Sequence, residues 1–169
     1  MGEVISVISG KGGTGKTTIC AGVASCLAAE GKKVLCIDAD IGLRNLDIAL
    51  GMADQPIIAF TDVINGHYGI SDAAEHEEIP NLFLFTAPIR ENEELISFPD
   101  FENMLRQVRE SFDFCFIDSP AGIGTGVRLA TRYADRCIMV STPDPASMRD
   151  AERASELLLL DGKEDLHLW

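Results

Sequence analysis

At 169 residues, with 46 % apolar side chains and a formal net charge of −13, the chain has the size and apolar content of one soluble globular domain. The acidic balance argues against a large sequence-independent grip on nucleic acid, which needs cations to neutralise phosphates, while leaving room for a local basic patch. The apolar runs are too short for a bilayer span, and no basic, apolar leader opens the chain, so neither a membrane-spanning segment nor secretion is expected.

Short apolar runs alternate with helical stretches, and no repeat, low-complexity tract or linker divides them. Val4–Ser9 predicts a strand. Thr17–Glu30 predicts a helix with Ile19, Val23 and Leu27 at spacing four, stopped by Gly31. Val34–Asp38 is a second strand. Asp47–Asn65 is mixed, with a short helix expected before Gly66. Asn81–Thr86 is another strand, and Pro99–Phe112 a helix with Phe101, Met104, Leu105, Val108 and Phe112 on one face. Phe114–Asp118 and Cys137–Ser141 are strands flanking a helix near Gly126–Ala134. Ala146–Leu160 is helical, and Leu166–Trp169 begins a further strand. Apolar strands separated by helices imply an α/β fold of three layers, with a doubly wound, mostly parallel sheet covered on both faces. Ligands in such folds sit beyond the carboxyl ends of the strands, so the polar residues following each strand are the candidates for function.

The five cysteines (Cys20, Cys26, Cys36, Cys115 and Cys137) are odd in number, lack a Cys-x-x-Cys pair and fall in apolar patterns. Reduced core thiols in a cytoplasmic protein are the simplest reading. The acidic runs Glu75–Glu78 and Glu91–Glu94 read as solvated faces.

The stretch after the first strand carries the chemistry. Gly10-Lys11-Gly12-Gly13-Thr14-Gly15-Lys16-Thr17 fits G-x-x-x-x-G-K-[ST], with a strand before it and a helix after it. Glycines let successive N–H groups turn inward, and with the helix N-terminus these hold a polyphosphate. Lys16 is placed to reach the β- and γ-phosphates, and the Thr17 hydroxyl to bind Mg²⁺; Thr18 completes the set of residues expected around ATP. Lys11 is additional to the generic loop.

Two further strands end in carboxylates. Asp38 and Asp40 fall where the second strand leaves the sheet toward the phosphates. Phe114–Asp118, an apolar run ending in Asp, fits a strand whose carboxylate holds Mg²⁺ opposite Thr17. Asp38 is open between orienting loop backbone and orienting a water. Gly122, Gly124 and Gly126 mark Ser119–Gly126 as a candidate switch between two conformations.

With Lys11, the loop matches KGGxGK[ST][ST], the deviant Walker A pattern, and the chain resembles the MinD/ParA family of P-loop ATPases. The stretch Asp38–Gly51, including Gly42-Leu43-Arg44-Asn45-Leu46-Asp47, is most similar to the family's septum-site-determining branch. Asp118–Ile123 and Met148–Leu158 follow the same pattern. Gly124 and Thr125 depart from it, toward the glycine-rich loops of flagellar-number regulators.

The resemblance implies a Mg-ATP-hydrolysing spatial regulator of division-site placement, dimeric with ATP. It assigns catalytic roles to Lys11, Lys16 and Asp40: Lys11 reaches the partner's nucleotide and Asp40 helps position the attacking water. It also implies a division inhibitor and a hydrolysis-stimulating protein as partners, and a cytoplasmic, peripherally membrane-bound location for the full-length protein. The family's adenine-reading asparagine and amphipathic membrane helix come later in the chain, so the sequence reads as an N-terminal fragment, with the domain truncated at its C-terminus. Partitioning ATPases of the family need a basic DNA surface, which the net charge disfavours. An iron-protein relative would need ligand cysteines in the loop after Asp118, which has none. A small-molecule kinase of the same class has less use for Lys11, and a fragment without turnover is the remaining alternative.

Overall fold

The computed structural model describes residues 1–89, 96–163 and 165–168; the acidic run Glu91–Glu94 and Trp169 lie outside them. The elements, in chain order, are β1 (Glu3–Ile8), α1 (Lys16–Ala29), β2 (Val34–Asp38), α2 (Leu46–Ala49), α3 (Phe60–Ile64), β3 (Ala74–Glu75), β4 (Leu82–Phe85), α4 (Phe98–Ser111), β5 (Phe114–Asp118), α5 (Thr125–Arg132), β6 (Arg136–Met139), α6 (Pro145–Leu160) and β7 (Leu166–Leu168). Among the described residues the strands form one sheet in the order β3-β4-β2-β5-β1-β6-β7. Every pairing is parallel except β3 with β4.

The strand order puts β1 and β5 side by side at the centre, with Val7 opposite Asp118, while β2 flanks β5 with Asp38 opposite Asp118. The phosphate-loop candidate and both carboxylate-ending strands therefore leave the sheet together at one edge.

Alternation within the strands builds two cores. Val4 and Ile8 of β1, Leu35 and Ile37 of β2, and Cys115 and Ile117 of β5 face one way, into the cluster completed by α4, α5 and α6. Ile5 and Val7, Val34 and Cys36, and Phe116 face the other way, onto α1 and α2. Strands buried on both faces read as near-continuous apolar runs, which is why β1, β2 and β5 were visible as hydrophobic segments, with Ser6 a buried polar exception in β1.

Helix α1 packs differently from the face suggested by Ile19, Val23 and Leu27. Those three are only partly buried, and the fully buried positions are Cys20, Ala21, Ala24 and Ala28. Small side chains let the helix backbone lie close to the sheet, so its larger residues fall to the sides. Its end is a Schellman motif: Gly31 takes φ +87°, its N–H donates to the Ala28 carbonyl at 2.9 Å, and the Lys32 N–H donates to the Leu27 carbonyl at 3.1 Å. Cys26 on this helix is exposed, which corrects the reading of all five cysteines as core thiols; the other four are buried.

Three more differences are local. The mixed segment resolves into two short helices, α2 and α3. Strand β3 has two residues and pairs Ala74 with Leu84 and Glu75 with Phe83, so Phe114–Asp118 is the fifth strand rather than the fourth. Helix α5 begins at Thr125, so Gly126 belongs to the helix and is buried, and the loop after β5 is shorter than Ser119–Gly126.

Helix α4 keeps its predicted face. Phe101, Met104, Leu105, Val108 and Phe112 are all buried, and Ser97 caps the helix by accepting from the Asp100 N–H at 3.4 Å. Phe101 packs edge-on to Phe60 of α3, with ring centroids 5.8 Å apart. Phe101→Ala should lower stability by about 3–5 kcal/mol. The check is urea unfolding, in which the midpoint should fall while the denaturant slope stays unchanged.

Candidate functional site

At the carboxyl edge of the sheet a cavity of about 630 Å³ opens between three loops. Gly12, Gly13, Thr14, Gly15, Lys16, Thr17 and Thr18 form one wall, Asp40, Leu43 and Asn45 a second, and Pro120 and Ala121 a third. Ser9 lies at its base. The wall between β1 and α1 is shaped by glycine: Gly13 and Gly15 take φ +78° and +93°, which side-chain-bearing residues rarely adopt. A Cβ built on Gly12, Gly13 or Gly15 would meet nothing within 4 Å, so the inner surface of the loop is open space. Gly15 precedes the first turn of α1, whose leading N–H groups face outward from the helix end.

Gly10 has a different reason to be glycine. A Cβ there would lie 2.3 Å from the carbonyl carbon and oxygen of Asp150 and 2.7 Å from the Ala151 nitrogen. The start of the loop is thus pressed against the backbone of α6. That end of α6 is fixed by Asp144, whose carboxylate accepts from the Ser147 N–H at 3.0 Å and the Thr142 hydroxyl at 2.7 Å. Hydrogen bonds from Ser147 and Thr142 hold the Asp144 carboxyl well below the usual carboxylate range, and the ammonium of Lys11 contributes in the same direction. Lys11 itself is exposed and does not line the cavity.

Lys16 is buried, and its Nζ lies 3.1 Å from Oδ1 of Asp118. Burial raises the Asp118 pKa above the ordinary carboxylate value; Lys16 and the hydroxyl of Thr17, hydrogen-bonded to the same carboxyl, oppose that shift, and the charge of Asp40 adds to it. Asp38 is also raised by burial, against the pull of the N–H groups of Leu46, Asp40 and Asn45. Asp118 thus repels both Asp38 and Asp40, and a further cation at this edge would relieve that repulsion.

These groups fit both a polyphosphate and a magnesium ion. The open glycine wall and the Lys16 ammonium are complementary to phosphate oxygens. The hydroxyls of Ser9 and Thr14, both at the cavity, are buried without a hydrogen-bond partner. Among the described residues no group of three or more His, Cys, Asp or Glu could hold a metal alone. Magnesium bound to phosphates keeps waters and needs only one or two protein oxygens, and the neighbouring Thr17 and Asp118 provide that number.

Of the residues expected at the site, the fold brings Gly12 to Thr18 and Asp40 to the cavity and sets Asp118 directly behind Lys16. Gly10 does not line the cavity and packs against the backbone of α6, and the Asp38 carboxylate accepts from amides of the loop that follows β2. The cavity also includes Leu43, Asn45, Pro120 and Ala121, which residue chemistry alone did not mark as site residues. Their only signal was membership of the stretches Gly42–Asp47, Asp118–Ile123 and Ser119–Gly126.

Comparison with known proteins agrees with this fold. A family model described as an AAA domain matches residues 2–158. The septum site-determining protein MinD of Thermotoga maritima is 44 % identical over 159 residues, covering 94 % of this chain and 59 % of that protein. MinD of Bacillus subtilis is 38 % identical over 160 residues, covering 94 % and 60 %. The chain therefore spans about three fifths of the length of these relatives. Among solved structures, the MinC:MinD complex of Aquifex aeolicus superimposes with a TM-score of 0.89 at 36 % identity, over 98 % of this chain and 67 % of that one. MinD of Pyrococcus horikoshii complexed with Mg-ADP gives a TM-score of 0.81 at 29 % identity, over 99 % and 68 %.

Gly10→Ala should force α6 away from the phosphate-loop candidate, because the obstructing atoms are backbone. The expected loss is about 1–3 kcal/mol of stability. A thermal midpoint equal to wild type would show that α6 can yield at no cost.

Proposed function

The chain belongs to the MinD/ParA family of P-loop ATPases, and on that premise we propose that it binds Mg-ATP in the cavity at the carboxyl edge of its sheet and hydrolyses it. The observation that carries this reading is the buried Lys16–Asp118 pair behind an open glycine loop. A lone ammonium buried there would be costly, and Asp118 compensates it while the loop holds no phosphate. With a triphosphate bound, Lys16 would be free to hold its oxygens, the N–H groups of Gly12 to Thr17 would hold the phosphate tail, and the Thr17 hydroxyl and Asp118 would hold magnesium. The ion supplies neutralisation of charge on the phosphate oxygens.

Hydrolysis then depends on positioning and on charge. Asp40, at the opposite wall, is suited to orient the attacking water by accepting its hydrogen bond. Lys11, exposed and outside the cavity of its own chain, is suited to reach the nucleotide of a second copy, where an added cation stabilises the transferring phosphoryl group. The turn from Ser119 to Gly124 adjoins the phosphate loop. Its Ser119 N–H donates to the Val7 carbonyl at 3.1 Å and its Gly122 N–H to the Ser9 carbonyl at 2.9 Å. These bonds tie the loop after β5 to β1 and the start of the loop that follows it.

The relatives named for septum-site determination, and the solved complex of MinC with MinD, support a role in placing the division site; a nucleotide-dependent dimer that recruits a division inhibitor is part of the proposal. A hydrolysis-stimulating protein and reversible membrane attachment of the complete protein belong to the same reading. Among the described residues no helix is long and apolar enough to cross a membrane.

Lys16→Ala should weaken binding of a fluorescent ATP analogue by about tenfold to a hundredfold, the worth of one or two charge-assisted contacts. Unchanged affinity would remove the phosphate-loop assignment. Lys11→Ala should leave that affinity within about threefold of wild type while abolishing dimers in sedimentation with a slowly hydrolysed analogue. A variant that still dimerises and turns over would contradict the role given to Lys11.

A further inference from the structure

The loop from Asp40 to Leu46 has an unusual construction. Asp38, the last residue of β2 and 1 % exposed, receives three backbone hydrogen bonds. Its Oδ1 accepts from the Asp40 N–H at 3.0 Å. Its Oδ2 accepts from the Asn45 N–H at 3.1 Å and the Leu46 N–H at 3.0 Å. One side chain therefore closes both ends of the loop. Inside it, the Asp40 carbonyl accepts from the N–H groups of Leu43 and Arg44, each at 3.3 Å. Gly42 takes φ +91° and Arg44 φ +45°. For Arg44 that left-handed conformation is unfavourable, and it persists where surrounding contacts over-determine it. One such contact is visible: the Arg44 guanidinium lies 3.3 Å from the carboxylate of Asp47, itself buried.

Asp38 does not line the cavity, whereas Asp40, Leu43 and Asn45 do. We infer that Asp38 is a positioning residue: its single carboxylate, clamping the Asp40 amide with one oxygen and the Asn45 and Leu46 amides with the other, fixes the loop that presents Asp40 and Asn45 to the cavity. The chemistry explains the residue type. Both oxygens must accept, so asparagine, which offers one acceptor and one donor, can serve only one end of the loop. Glutamate keeps both acceptors but carries them one methylene further from β2. Burying a carboxylate is costly, and the three N–H donors offset that cost only while the loop is closed.

This role rests on the ATPase reading for its consequence, but the clamp can be read without nucleotide. Amide hydrogen exchange of the whole chain, measured by NMR without ATP, should show Asp40, Asn45 and Leu46 protected in wild type, and the amides at one end of the loop, either Asp40 or the pair Asn45 and Leu46, exchanging at least about tenfold faster in Asp38→Asn. With ATP, Asp38→Asn should lower kcat by up to about a hundredfold, the effect of a small displacement of Asp40, while affinity for a fluorescent ATP analogue stays within about threefold. A merely destabilised fold would not separate turnover from affinity in this way. If Asp38→Asn does not fold, Asp38→Glu replaces it, with the same split expected. Unprotected amides in wild type, wild-type kcat in the variant that folds, or parallel loss of affinity and kcat would each overturn the inference. A wild-type chain without turnover would instead remove the ATPase reading, with the exchange data still deciding the clamp.

Discussion

The pairing of β1 with β5 at the centre of a parallel sheet is the constraint on which the site depends. Parallel neighbours end at the same edge, so the loop after β1 and the carboxylate ending β5 are delivered to one place regardless of the sequence between them. Lys16 and Asp118, 102 residues apart, meet there at 3.1 Å, buried. The pair joins the two strands chemically as well as geometrically. It leaves an ammonium and a carboxylate out of water, poised for partners of opposite charge.

Around this pair the remaining pieces are held by backbone rather than by side-chain packing. Gly10 lets α6 lie against the loop without a Cβ between them. Gly122 and Ser119 bond back to the β1 segment. Asp38 gathers three amides of the loop that carries Asp40. Three separate loops are thus registered to one another by short, directional contacts. That suits phosphoryl transfer, where catalysis consists mainly of holding groups in position. The accompanying cost is visible in the raised carboxylates Asp38 and Asp118 and in the left-handed Arg44. Among the described residues, the buried Lys16, Asp38 and Asp118 and the left-handed Arg44 lie near the edge where a ligand and a cation are expected, while the other left-handed non-glycine residue, Asn81, precedes β4.

Most of the architecture was legible because buried parallel strands leave continuous apolar runs and amphipathic helices leave a periodic face. Helix α4 shows the second case: its buried residues are the predicted Phe101, Met104, Leu105 and Val108, and the predicted Phe112, just past its end, is buried too. Helix α1 shows the limit. Leucine, isoleucine and valine dominate a hydrophobicity pattern, yet the sheet selected Cys20, Ala21, Ala24 and Ala28 because closeness of approach, set by side-chain size, decided which face went inward. Strand β3 was invisible for another reason. Two residues carry no periodicity, and only the neighbouring β4 makes them a strand.

The sequence by itself determined the local chemistry: a glycine-rich turn that only a small backbone can follow, a lysine and threonine at fixed offsets, and strands ending in aspartate. These are short-range properties, set by steric freedom and by residues adjacent along the chain. Tertiary structure alone decided which aspartate does what. Asp38 and Asp40 are two residues apart and chemically identical. The fold turns one inward onto three amides and sets the other at the wall of the cavity, because β2 ends at Asp38 and the chain turns there, whereas in a continuing strand residues two apart would share one face. It likewise decided that Lys16 is compensated by Asp118, since only strand order brings charges so distant in sequence within reach of each other.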